Sequence, residues 1–224
     1  GAASGEERQV WLLAAEQALQ KAFEIAPLNP DHSRNLSKLY VSWAQLATEA
    51  QRPALFEKAL AYSDQAISLS PNTADIWNER AQIFAAMGDI ERAKAVYEES
   101  LAIDDEYANT HLSIGKLHTA QEEWENATAA YARAVELNPK LTEAYSNLGY
   151  VYSQMGDMQA ALSAYSNAVE SGPGNYLNHQ NLAVVYARLP LSLLFTLVFS
   201  TLFTVMLRSV FPEAQLIKWS IAVQ

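Results

Sequence analysis

A period of 34 residues constrains this chain more than any other feature. Its clearest copy is TEAYSNLGYVYSQMGDMQAALSAYSNAVESGPG, starting at Thr142. With Thr142 as offset 1, Tyr145, Leu148, Gly149, Tyr152, Gly156, Ala161, Tyr165, Ala168 and Pro173 stand at offsets 4, 7, 8, 11, 15, 20, 24, 27 and 32. Apolar residues recurring every three or four positions predict two short amphipathic helices, joined at Met155-Gly156-Asp157. The small residues Gly149, Ala161 and Ala168 suit the places where the two helices approach closely. Tyr145, Leu148, Tyr152 and Tyr165 suit the space between units. One such hairpin cannot bury its apolar face alone, so neighbours must stack on it.

The neighbours are present in the sequence. A unit from Ala74 carries Trp77, Ala81, Phe84, Gly88, Ala93 and Tyr97 at the matching offsets and Leu101 at offset 28, with Asn72 and Thr73 as candidate caps. A unit from Ala108 carries His111, Ile114, Gly115, His118, Ala127, Tyr131, Ala134 and Pro139. A half unit from Tyr176 carries His179, Leu182, Ala183 and Tyr186. A less regular unit from Tyr40 offers Trp43, Leu46, Ala47, Ala59, Ala66 and Pro71, with helices expected over 35–49 and 53–69. This pattern resembles the tetratricopeptide repeat, a helix–turn–helix unit of the same length. The resemblance implies an all-α, right-handed superhelical α-solenoid over 40–189, with units starting at 40, 74, 108, 142 and 176.

Upstream, 1–39 reads as a partial repeat and lead-in segment. A helix is expected over 6–26 from the stripe of Val10, Leu13, Ala14, Ala18, Leu19 and Phe23, stopped by Pro27 and Pro30. Downstream, the pattern breaks at Pro190, and 190–224 is a hydrophobic tail. The stretch 189–207, LPLSLLFTLVFSTLFTVML, has no charge and is long enough for a transmembrane helix. Ser192, Thr196, Ser200 and Thr204 form a hydroxyl stripe on it, suited to helix packing in lipid. Three readings of the tail stand side by side: a hydrophobic C-terminal helix anchoring the chain in a membrane, a terminal helix packed on the last unit, or foreign sequence joined by frameshift or fusion.

Charge and composition exclude several function classes. The net charge is −10, and 1–189 alone carries 13 Lys and Arg against 24 Asp and Glu. An acidic solenoid repels phosphate backbones, so nucleic acid is not an expected partner. No Cys is present, which removes disulfides, thiolate metal sites and Cys nucleophiles. No phosphate loop, nucleophile elbow or HExxH pattern occurs, so no enzyme, no cofactor and no metal is expected. His111 and His118 share a predicted helix but occupy packing offsets. Asp104-Asp105-Glu106 reads as solvated charge, and Glu122, Glu123 and Glu125 as opening the next helix with dipole-favoured charge.

The repeat resemblance also implies a site. Offsets 2, 5, 6, 9, 12 and 13 of the first helices would face the concave groove. Offset 6 places Gln45, Glu79, Ser113, Asn147 and Asn181 one repeat apart. Side-chain amides carry both donor and acceptor, and can hold an extended peptide backbone. Asn78, Gln82, Asn109, Lys116, Glu143, Tyr150, Gln154, Gln180 and Arg188 complete the expected groove. The plain alternative is a solvated helix face. A carboxylate clamp finds little here, because only Lys116 and Arg188 are basic at these positions.

The region 23–189, with AFEIAPLNPDHSRNLSKLYVSWAQLA before the repeats, is also similar to the repeat region of bacterial O-antigen ligase/polymerase-like membrane proteins. That similarity implies a membrane-associated bacterial protein whose repeats lie in an aqueous, extracytoplasmic compartment as an accessory to a glycan enzyme. The hydrophobic tail departs from that family's order. The expected function is a scaffold holding a protein or peptide partner in the groove. A membrane-tethered assembly factor, associated through 189–207, is the reading from a different class.

Overall fold

A glycine and an aspartate fold the units from Ala74 and Thr142 in half. Gly88 and Gly156 both sit at φ 80°, where a residue without Cβ meets no steric penalty. Asp89 and Asp157 follow them and accept from the backbone N–H groups of Arg92 and Ala160. The pair therefore ends one helix and caps the next. The computed structural model describes residues 5–189. These form ten α-helices: α1 (Gly5–Ile25), α2 (Pro30–Leu46), α3 (Arg52–Leu69), α4 (Ala74–Met87), α5 (Ile90–Ile103), α6 (Ala108–Ala120), α7 (Trp124–Leu137), α8 (Thr142–Met155), α9 (Met158–Ser171) and α10 (Tyr176–Arg188). Among the described residues no helix is long and apolar enough to cross a membrane. The hydrophobic tail 190–224, and nearly all of the transmembrane stretch expected over 189–207, lie outside the described residues.

The helices stack as hairpins, and one close approach recurs within them. A Cβ added to Gly115 would stand 2.5 Å from the Tyr131 ring, and one added to Gly149 would stand 2.7 Å from Tyr165. Ala81 and Tyr97 are the corresponding buried pair of the unit before. Ala93, Ala127 and Ala161 at offset 20 are all fully buried, and so is Ala59 on the second helix of the first hairpin. Between units, α2 touches α4, α4 touches α6 and α6 touches α8. No second helix meets the next second helix to that extent among the described residues. A stack held more closely along one edge bends towards it, so the first helices line the concave face.

The first unit differs from expectation. Its first helix is Pro30–Leu46 rather than 35–49, and Tyr40 lies in mid-helix instead of opening the unit. Pro30 starts this helix; it does not stop the one before. Proline is tolerated in the first turn, where its missing N–H has no partner to lose. The side chain of Asn29 accepts from the Asp31 N–H, as Asn175 does for Leu177 at the start of α10. Counted from Pro30, buried Leu36, Ser37 and Tyr40 take offsets 7, 8 and 11. The unit then runs 44 residues to Thr73, against 34 in the next three. Both helices and the turn between them are longer, so the hairpin is extended at its tip. Trp43, Leu46 and Ala47 imitate offsets 4, 7 and 8 because they continue the stripe of one long helix.

A second departure lies at offset 15 of the third unit. Glu122 occupies the place of Gly88 and Gly156 and has φ 58°. It belongs to the turn, and α7 opens at Trp124 with only Glu125 in its first turn. A non-glycine residue pays about 1 kcal/mol or more to hold this region. Glu122→Gly is therefore expected to raise stability by about 0.5–1 kcal/mol, less than the full strain because glycine also loosens the unfolded chain. Gly149→Ala is expected to lower it by about 1–3 kcal/mol by overpacking Tyr165. Thermal and urea unfolding followed by circular dichroism measure both.

Candidate partner-binding groove

The first helices present their concave side as a row of mainly polar residues. At its N-terminal end, Lys38, Ser42, Gln45, Glu79 and Gln82 line one depression between α2 and α4. Arg34 reaches across this junction. Its guanidinium lies 2.5 Å from Asp75 and 2.5 Å from Glu79, and also pairs with Asp31 at 3.2 Å. Lys38 adds a second cation to Glu79 at 2.8 Å. The hydrogen bond to Glu79 raises the pKa of Arg34 further above its already high value. Arg34 and Lys38 escaped the sequence reading because the first helix was placed in the wrong register. Their spacing from Asn29-Pro30 was the available signal.

Further along, the face continues to pair with itself. The Gln82 amide donates to the Ser113 hydroxyl at 3.1 Å, and Lys116 pairs with Glu143 at 2.7 Å. Asn109 donates to the Tyr107 hydroxyl at 3.2 Å. Asn78, placed in the groove by its offset, is 3% exposed and turns into the stack. Ser113 is also buried.

The C-terminal part of the same face is different. Asn147 is half-buried, and its amide nitrogen is shielded from solvent yet has no partner among the described residues. Tyr150 is exposed and meets the Trp124 ring, edge to face at 6.5 Å. Gln154, Gln180 and Arg188 are exposed, Asn181 is half-buried, and all four side chains lack a partner among the described residues. Leu177 and Val184 expose apolar surface beside them. The helix that carries these groups is well fixed. Asn178 is buried, accepts from the Ser146 hydroxyl at 2.7 Å and donates to the Ala168 carbonyl at 3.2 Å. It ties α10 to both helices of the preceding unit.

The histidines serve the joints between units. His111 bonds the Asp105 carbonyl at 2.8 Å, and His179 bonds the Pro173 carbonyl at 2.9 Å. The indole N–H of Trp77 donates to the Pro71 carbonyl at 2.7 Å in the same way. A carbonyl can only accept, so Nε2 carries the proton in both histidines. His118 instead faces Glu123 at 2.5 Å, which holds that carboxyl below the ordinary glutamate range. Among the described residues no three His, Asp or Glu side chains gather where a metal could sit.

Family models match the regular units of the stack. Residues 74–107 and 142–175 match the tetratricopeptide repeat, and 115–156 match a TPR repeat model. The fold is a tetratricopeptide-repeat solenoid. Solved structures agree on the architecture. A thermophilic TPR protein of Thermus thermophilus, TTC0263, is 20% identical with a TM-score of 0.64, covering 80% of this chain and 94% of that one. YrrB, described as a TPR protein with an unusual peptide-binding site, is 26% identical with a TM-score of 0.51, covering 77% and 84%. Pseudomonas aeruginosa pilF is 20% identical with a TM-score of 0.56, covering 71% and 70%. No curated protein matches the sequence. These matches lend no support to the O-antigen ligase-like resemblance of 23–189.

Within the solenoid, Arg34 joins the first two units at a partly shielded site. Its side chain is 18% exposed, and those of Asp75 and Glu79 are 28% and 21% exposed. Arg34→Ala leaves two carboxylates one helical turn apart without their shared cation. It is expected to cost about 1–3 kcal/mol of stability, read from the urea midpoint. Arg34→Lys is expected to recover only part, because an ammonium cannot fork to two carboxylates.

Proposed function

We propose that this chain is a right-handed protein-interaction scaffold that holds an extended peptide segment of a partner protein on its concave face, chiefly along α8 and α10. Tetratricopeptide repeats are generally scaffolds of this kind, and the peptide-binding site named for YrrB belongs to a protein of the same fold. One observation carries the reading. Most polar groups on the α2–α6 part of the face, Gln45 excepted, are spent on internal pairs, whereas Asn147, Gln154, Gln180, Asn181 and Arg188 all keep donors or acceptors unspent. Asn147 and Asn181 stand one repeat apart and would grip a peptide backbone at two points. Leu177, Val184 and Tyr150 offer apolar contact between and beside them. The membrane-tether and glycan-enzyme readings draw on 189–207 and on the resemblance of 23–189; no side chain described above favours either.

The test uses an array of twelve-residue peptides of varied sequence. Peptides retained by the full chain are expected in the micromolar range, as suits a small and partly polar interface. The double change Asn147→Ala and Asn181→Ala is expected to weaken them about ten- to a hundredfold, at about 1 kcal/mol per hydrogen bond. Circular dichroism should be unchanged. Equal affinity in the double variant would remove the ladder from the binding site.

A further inference from the structure

The lengthened hairpin α2–α3 and helix α1 form a cleft between them. Its volume is about 710 Å³, and Leu12 of α1 with Trp43, Leu46 and Leu55 of the hairpin supply its apolar surface. Most of its lining comes from the tip of the extended hairpin. Trp43 is held as a wall by stacking on Tyr40, with ring planes 7° apart. Leu46 is left 59% exposed, although it stands at the end of a well-formed helix.

The cleft has a fixed frame. The Tyr40 hydroxyl donates to Glu16, which binds α1 to α2. Lys58 lies 4.9 Å over the Tyr40 ring and 3.6 Å from the same carboxylate. Arg8, on the opposite wall, has no partner among the described residues. Among the described residues Arg8 and Lys58 are the only charged residues lining the cleft, and both are cations, in a chain of net charge −10. The turn of this hairpin carries Glu49, which does not line the cleft.

From this lining we infer a second docking site, for an acidic amphipathic segment of a partner protein. Leucine-like or aromatic side chains enter between Leu12, Trp43, Leu46 and Leu55, and flanking carboxylates meet Arg8 and Lys58. Apolar burial supplies the attraction, and the two cations select the sign of the partner. The site lies at the hairpin tip, away from the ladder on α8 and α10, and does not rest on the concave-face reading.

The experiment titrates the full chain with a fluorescein-labelled Glu–Leu amphipathic peptide and with its Lys–Leu counterpart. The Glu–Leu peptide is expected to bind in the micromolar range and to shift Trp emission, a shift absent from Trp43→Phe. Leu46→Asp changes an exposed side chain and is expected to weaken binding at least tenfold with the helical spectrum retained. Arg8→Glu is expected to do the same. Asn147→Ala with Asn181→Ala should leave this affinity unchanged, which separates the two sites. Equal binding of both peptides, or indifference to Leu46→Asp, overturns the inference. So does a dimer of the free chain that Leu46→Asp dissociates, which assigns the cleft to a second copy. A Trp43 shift with dodecanoate but with neither peptide would assign it to a free anionic amphiphile and overturn it equally.

Discussion

The solenoid depends on how closely the two helices of a hairpin can approach. In the units from 108 and 142, a glycine on the first helix meets the ring of a tyrosine on the second, with no room for a Cβ between them. The tyrosine thereby buries its ring while its polar tip stays bonded; Tyr131 meets the Thr119 hydroxyl at 3.0 Å. Burial pushes the Tyr97 and Tyr131 phenols up to about 12, so both remain neutral at any ordinary pH. The first unit solves the same problem differently. Ser37 takes the small position and donates to the Ala59 carbonyl at 2.8 Å, with buried Ser63 where the later units have tyrosine. A polar bond replaces the ring contact, and the aromatic mass moves to the stack of Tyr40 and Tyr62, 5.7 Å apart.

Regular units were legible in the sequence because their packing needs a given size at a given offset. Ala127, Tyr131, Ala134 and Gly149 could be assigned by counting alone, and the family matches cover these units. The first unit was not legible in its first helix. An amphipathic stripe continues through any length of helix, so the spacing from Trp43 and Ala47 to Ala59 and Ala66 hides the longer turn between them. The termination signals were also ambiguous, since proline ends one helix and begins another with equal ease. Asn29 resolves this, but only once its capping bond is seen.

The groove was legible in residue type and not in pairing. Offsets identified which side chains lie along the first helices, but not which of them the chain consumes internally. Glu79 looked like a rung until Arg34 and Lys38, from a helix in another register, were found upon it. Asn78 shows the limit of transferring an offset, because a one-position difference around a helix separates an open face from a buried seam. Lys116 and Glu143, on neighbouring first helices, are each other's partner. A face read as one ladder is thus two regions with different chemistry, one occupied by its own ion pairs and one with unspent polar groups.

The ion pairs that bridge first helix to first helix also bear on mechanics. They lie on the inner edge of the curve, where neighbouring units come nearest, and each draws that edge together. Such attraction weakens as mobile ions shorten the screening length to a few ångströms at molar salt. Hydrophobic seams within hairpins do not weaken in the same way. The solenoid therefore behaves as a spring whose compliance varies with its ionic surroundings. It is tight at its N-terminal coils in dilute buffer and opens there first in brine, while the stretch from α8 to α10, joined by neutral hydrogen bonds, keeps its pitch.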